Sequence, residues 1–167
     1  MDERTRSLTF SAVMCALGCT LLLVASAMPT TRLALLCLSS LGAVGAALRS
    51  GRNWGWGVYA VTAILSLLLS PAKAVALCYA CFAGWYPLVK LPLERWGSAA
   101  ARWTVKLVLF NAAFALLLVF GGAVLGTAVS ERPQWMLWLG GNGAFLVYDL
   151  AVKEAILLYM RRIAGRV

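Results

Sequence analysis

Histidine is absent from this 167-residue chain, and only 13% of its residues are charged. Without histidine there is no Ser-His-Asp set and no HExxH zinc motif. The chain also lacks a Walker phosphate loop and any pair of carboxylates within one apolar run. No enzymatic constellation is expected, and no metal or cofactor site. A proton relay is poorly served as well, because one intramembrane carboxylate without histidine or a second acid makes a poor chain. Acidic residues are scarce, 6 against 15 Lys and Arg, giving a net charge of +9. That excess does not point to nucleic acid, which calls for a basic face with stacking or base-reading groups. Here the charges are scattered between apolar runs. The five cysteines (Cys15, Cys19, Cys37, Cys78, Cys81) all lie inside such runs, which excludes a disulfide framework and a soluble zinc module. Cys78-x-x-Cys81 has redox spacing, but reactive thiolates need an accessible, electropositive setting that Val75, Ala76, Leu77 and Phe82 do not supply.

What is present is apolar surface: 62% of residues are hydrophobic, and the mean hydropathy is +0.85. A soluble domain carries about 25% charged residues, so this composition predicts an all-α integral membrane protein. Charge-free runs of about 20 residues suit helices that cross the hydrocarbon core. Six emerge, at 7–31, 33–48, 53–72, 74–89, 107–130 and 133–152, the last interrupted only by Asp149. Each is continuously apolar instead of alternating, which favours a helix bundle over a barrel. The two runs of 16 residues, the second and fourth, can cross by snorkelling of Arg32, Arg49, Lys73 and Lys90.

The positive-inside rule tests this count with residues the hydropathy argument left out. With both termini cytoplasmic, the inner segments hold Arg4, Arg6, Arg49, Arg52, Lys90, Arg95, Arg102, Lys106, Lys153, Arg161, Arg162 and Arg166, and the outer ones only Arg32, Lys73 and Arg132. The expected location is a bacterial inner membrane, with membrane lipid as the surrounding partner. A second reading of the start is a signal peptide cleaved after Ala25-Ser26-Ala27. The outer turns at Pro29–Arg32, Ser70–Lys73 and Ser130–Pro133 are too tight for an external domain. The longest connection, 90–106, predicts a cytoplasmic interfacial amphipathic helix, with Leu91, Leu93, Trp96 and Trp103 among Glu94, Arg95 and Arg102 and a kink at Tyr86-Pro87 and Leu91-Pro92.

Within the spans, three groups of residues draw attention. Small residues recur at helical spacing: Ala12 and Ala16, Ala43 and Ala47, Gly51 and Gly55, Gly122 and Gly126. These suit close helix packing in lipid, or, on the first span, a partner membrane subunit. An intramembrane charge costs about 2.5–3.5 kcal/mol at a helix centre, so Asp149 needs a reason. Lys106 opens the fifth span at the same depth, and Asn111 and Asn142 lie deeper on the same two spans. The expectation is an inner polar cluster of Lys106, Asn111, Asn142 and Asp149, acting either as a clamp or as a gate. At the outer side Thr31, Arg32, Ser70, Lys73, Trp135 and Trp138 form a candidate ligand rim, although tryptophans there also serve as interfacial anchors. Gly140-Gly141-x-Gly143 loosens the sixth span. The segment from Phe82 to Lys90, with Glu94 after it, is distinctive but has no chemistry attached to it from sequence.

Six short-looped spans with cytoplasmic ends, a basic start before Ala12-x-x-x-Ala16, Pro29 in the first outer loop and Gly51-Arg52-Asn53-Trp54-Gly55 between spans two and three resemble a known family. They are similar to the substrate-binding S components of energy-coupling factor (ECF) transporters. The likeness covers the whole chain and is architectural. It implies a six-helix bundle that binds a small molecule such as a vitamin from the outer side. It also implies that Ala12 and Ala16 dock on a transmembrane T component, that two cytoplasmic ATPases supply energy, and that Thr31, Arg32 and residues near Lys73 and Trp135 border the ligand. The ligand signatures of the better-known vitamin binders are missing, and the lack of histidine excludes the metal-binding type. The alternative function is a non-transporting membrane scaffold similar to the shape-determining protein MreD.

Overall fold

The computed structural model describes residues 2–94, 97–125 and 134–164. Expectations placed on Arg95, Trp96, Gly126, Ser130, Glu131, Arg132, Pro133 and Arg166 lie outside the described residues. Every element described is helical. Helix α1 spans Glu3–Ala27 and a 3-10 turn, Pro29–Thr31, leads into α2, Arg32–Ser50; α3 follows at Arg52–Leu69. Helix α4 covers Lys73–Leu93, α5 covers Ala99–Leu125 and α6 covers Gln134–Ala164. Four are long and apolar enough to cross a membrane: α1, α2, α4 and, within α5, Ala99–Val119. The chain is a helical protein with several helices able to span a bilayer.

The packing follows from where the small residues fall. Helix α1 buries Ser11, Cys15, Gly18, Cys19, Leu22 and Ala25, while Leu8, Val13, Leu17, Leu23 and Val24 on its other side are exposed. A helix apolar all round, with only a narrow seam covered, is matched to lipid on its open face. Its seam meets α2 and α3, and these three helices form the most closely packed part of the molecule. A Cβ on Gly55 would lie 2.6 Å from Ala47 Cβ and 2.9 Å from Ala43 O, and one on Gly42 would lie 3.1 Å from Met14 O. The small residues of α2 and α3 are therefore spent on contact between helices inside the fold. Gly51, at φ +104°, makes the turn between them, a conformation that only glycine adopts without penalty. Polar side chains hold the same seam: Ser39 Oγ donates to Gly18 O at 3.1 Å, and Ser26 and Ser70 hydroxyls bond across the C-terminal ends of α1 and α3.

The region 90–106 differs from the expected single interfacial helix. Helix α4 carries on through Lys90 and Pro92 to Leu93, and α5 begins at Ala99 and runs without interruption past Leu107. Two causes lie in the structure. Lys90, expected as a flanking charge, is neutralised inside the bundle, so the helix need not end before it. Gly97, at φ +62°, lets the chain reverse at once into α5.

Candidate functional site

The site is built on an irregular stretch of α4. Between Tyr79 and Ala83 the helix widens to a π turn, in which Gly84 N bonds Tyr79 O at 2.8 Å instead of Ala80 O. Ala80 O is left without its helical donor, and Tyr59 OH supplies one at 2.7 Å. Proline at 87 has no N–H to give Ala83 O; Tyr148 OH donates there at 2.8 Å and lies 3.1 Å from Ser40 Oγ. Trp85 Nε1 satisfies Cys81 O at 2.7 Å. Each carbonyl released by the irregularity thus takes a side-chain donor, as a nonaqueous surrounding demands. Glycine is required at 84, because a Cβ there would sit 2.6 Å from the Tyr59 ring.

Below the π turn, Tyr86, Lys90 and Glu94 follow at intervals of four residues and occupy one face of α4. That face meets Lys106 of α5 and Asp149 of α6. Asp149 Oδ1 accepts from Tyr86 OH and from Lys90 Nζ at 2.6 Å, and Oδ2 accepts from Lys106 Nζ at 3.2 Å. Lys90 Nζ also donates to Asp149 O at 2.6 Å. Glu94 closes the group, with Oε1 3.2 Å from Lys106 Nζ and 3.7 Å from Lys90 Nζ, and Arg102 bonds its carbonyl at 2.8 Å. Two cations face two carboxylates, so the cluster is neutral. Lys90 is 1% exposed, Asp149 2% and Lys106 6%, while the Glu94 side chain is 38% exposed, so the cluster runs from a dry end at Tyr86 to a wet one at Glu94. A cleft of about 220 Å³ lined by Lys90, Leu91, Glu94, Lys153 and neighbouring α6 residues leads to the wet end.

Tyr86 also belongs to an aromatic layer directly above. Its ring stacks on Phe82 with centroids 4.7 Å apart; Phe110 stacks on Phe145 at 4.6 Å and on Phe114 at 5.5 Å. Beside this layer lies an apolar cavity of about 150 Å³ between α2, α4, α5 and α6, lined by Leu33, Leu36, Phe82, Phe110, Phe114, Leu117, Gly141, Phe145 and Tyr148, among others. The three helices joined by the ionic cluster are three of the four that wall the cavity. A change in their spacing is therefore felt at both places.

Of the residues expected in an inner cluster, the structure joins Lys106 to Asp149. Asn111 and Asn142 face each other at 3.4 Å, but each makes a shorter bond to its own helix, Asn111 to Leu107 O at 2.8 Å and Asn142 to Trp138 O at 2.9 Å. They form a separate, looser pair. Tyr86, Lys90 and Glu94 were not expected in the cluster; the signal for them was their four-residue spacing within the segment that had no assigned chemistry.

The six outer-rim candidates are not gathered into that cavity. Thr31 is exposed in the 3-10 turn, and Arg32 has a buried Nε without a hydrogen-bond partner among the described residues. Ser70 is buried and bonded to Ser26 Oγ and Ala72 O. Lys73 Nζ caps α3 through Leu67 O at 2.7 Å and Leu68 O at 3.4 Å, because the last carbonyls of a helix lack internal donors. Trp135 is 67% exposed, and Trp138 packs edge-on against Phe114 with centroids 5.1 Å apart. Ala12 and Ala16 lie on the open face of α1.

The arrangement offers an apolar chamber, an ionic latch beneath it and an uncovered small-residue face on α1. Compared with protein-family models, curated proteins and solved structures, the chain matches none.

Proposed function

We propose that this chain is a six-span membrane protein with both termini on the cytoplasmic side, acting as a solute-binding subunit of the energy-coupling factor S-component type. The two helices that composition alone leaves aside have the length for it: α3 has 18 residues and α6 has 31, about 27 and 46 Å at 1.5 Å per residue. The observation that carries the reading is the half-open apolar cavity walled by α2, α4, α5 and α6. The space of about 150 Å³ takes a single benzene-sized ring, so a vitamin-sized molecule fits it only in part unless α5 and α6 move outward. The cluster of Asp149 with Lys90, Lys106 and Tyr86 ties those two helices to α4. In this reading it is a gate that reports occupancy, and a small, mainly apolar molecule is the solute. Energy comes from outside the chain: a T component docked on Ala12 and Ala16, coupled to two ATPase subunits.

Native mass spectrometry after gentle purification tests this, since it displays a retained solute and attached subunits together. The expected spectrum contains both, and Ala12→Leu or Ala16→Leu removes the subunits while leaving the solute. A wild-type protein that carries neither solute nor subunits overturns the proposal.

A further inference from the structure

At the end of the molecule opposite the outer turns, the N-terminus of α1 and the C-terminus of α2 border an open polar cleft of about 390 Å³ lined by Glu3, Arg6, Ser7, Arg49 and Ser50, with the three charged residues exposed. Its cations are available. Among the described residues every ion pair involves Lys90 or Lys106, and neither Arg6 nor Arg49 meets Glu3 within ion-pair distance. Arg49 is also held in place, with its guanidinium carbon 4.4 Å from the centre of the Phe10 ring, an arrangement that costs the arginine less ordering when it binds. The N-terminus of α1 adds its positive end, and Asp2 makes no side-chain capping bond there. Two guanidinium groups, two serine hydroxyls and an uncapped helix start stand against the Glu3 carboxylate in the lining and the Asp2 carboxylate beside it, a donor set that suits a tetrahedral oxyanion.

We propose that this pocket binds a phosphate group, and that its source is the headgroup of an anionic phospholipid in the cytoplasmic leaflet. The source rests on the six-span reading, which sets the pocket at the depth of the headgroups; the phosphate chemistry does not. The lipid seats its phosphate between Arg6 and Arg49 and fixes the register of α1 against α2.

The test is lipid retention in nanodiscs of phosphatidylglycerol and phosphatidylcholine, with inorganic phosphate titrated separately onto the detergent-solubilised protein. Wild type is expected to prefer phosphatidylglycerol. Arg6→Gln and Arg49→Gln should each weaken that preference by more than about fivefold, the factor that any one basic residue near an anionic surface contributes. Arg52→Gln makes the same charge change outside the pocket and should weaken it by no more than that general factor. Resistance to millimolar inorganic phosphate supports a lipid source; displacement by it supports the phosphate pocket and overturns the lipid source. Equal loss with Arg52→Gln, or no preference in the wild type, overturns the pocket. Phe10→Leu, which keeps the apolar contact but removes the ring, should lower retention while thermal stability is preserved. Failure of the wild type to enter nanodiscs overturns the membrane placement and with it the lipid source, while the phosphate titration still decides the pocket.

Discussion

Asp149 joins three helices, since Tyr86 and Lys90 of α4 and Lys106 of α5 converge on its carboxylate. Removing one partner of a buried pair costs about 3–5 kcal/mol, because the survivor is left charged in a poor solvent. Asp149→Asn leaves Lys90 and Lys106 with only the partly exposed Glu94 between them, and is expected to lower the unfolding free energy by an amount in that range. Lys106→Met should cost less, because Lys90 still neutralises Asp149. Combining Asp149→Asn with Lys90→Met should fall short of the sum of the single effects by about 1–3 kcal/mol, measured by denaturant unfolding in detergent. Strict additivity would mean the two do not interact. Gly84→Ala is a second residue-scale case: its methyl meets the Tyr59 ring at 2.6 Å, and overpacking of this kind costs about 1–3 kcal/mol. A melting temperature equal to that of the wild type would contradict the close approach. Lys106 opposite Asp149 was legible in the sequence, because depth in a span can be counted from its end. Lys90 was not, because a lysine at a span boundary looks the same whether it snorkels outward or turns inward to a carboxylate on another helix.

At the scale of the element, α4 is, among the described residues, the helix with a π turn in its middle, and its irregularity is matched by neighbours. Tyr148 of α6 donates to the carbonyl that Pro87 leaves open, so the two residues are coupled although they lie on different helices. Tyr148→Phe in the wild type leaves Ala83 O unsatisfied and should cost about 1–3 kcal/mol. In a Pro87→Ala background, where the amide at 87 can bond Ala83 O, the same substitution should cost markedly less. A double-mutant cycle by thermal or denaturant unfolding checks this; identical costs in both backgrounds would show that the tyrosine does not stand in for the missing amide. The proline was visible in the sequence as a kink signal. The π turn four residues before it was not, since it depends on which donors α3 and α6 bring to the carbonyls.

For the whole molecule, α1, α2 and α3 form the tight unit, and the ionic cluster is the main polar tie between α4 and the longer α5 and α6. Single cysteines placed at Arg52 and at Ser98, in a background without the native thiols, should both react with an impermeant reagent only from the cytoplasmic side of vesicles. Opposite sidedness of the two would break the six-span topology. The α2–α3 turn is exposed at Gly51, Arg52 and Asn53, and Gly97 and Ser98 are exposed at the α4–α5 turn, so accessibility itself is not limiting.

Composition alone pointed to the solvent: with so little charge, apolar side chains suit lipid, and continuously apolar runs satisfy the backbone there as helices. The charge-free runs set the helices, since a run's length is a local property, and equal depth in two of them proposed the meeting of Lys106 with Asp149. The tertiary structure decided what depends on neighbours distant in sequence. It turned Lys90 inward, where only a carboxylate from α6 makes burial tolerable, and gave Ser70 and Lys73 backbone and hydroxyl partners in place of a common chamber. It set the cavity among aromatic rings contributed by α4, α5 and α6, since a void belongs to the fit between surfaces and to no single segment.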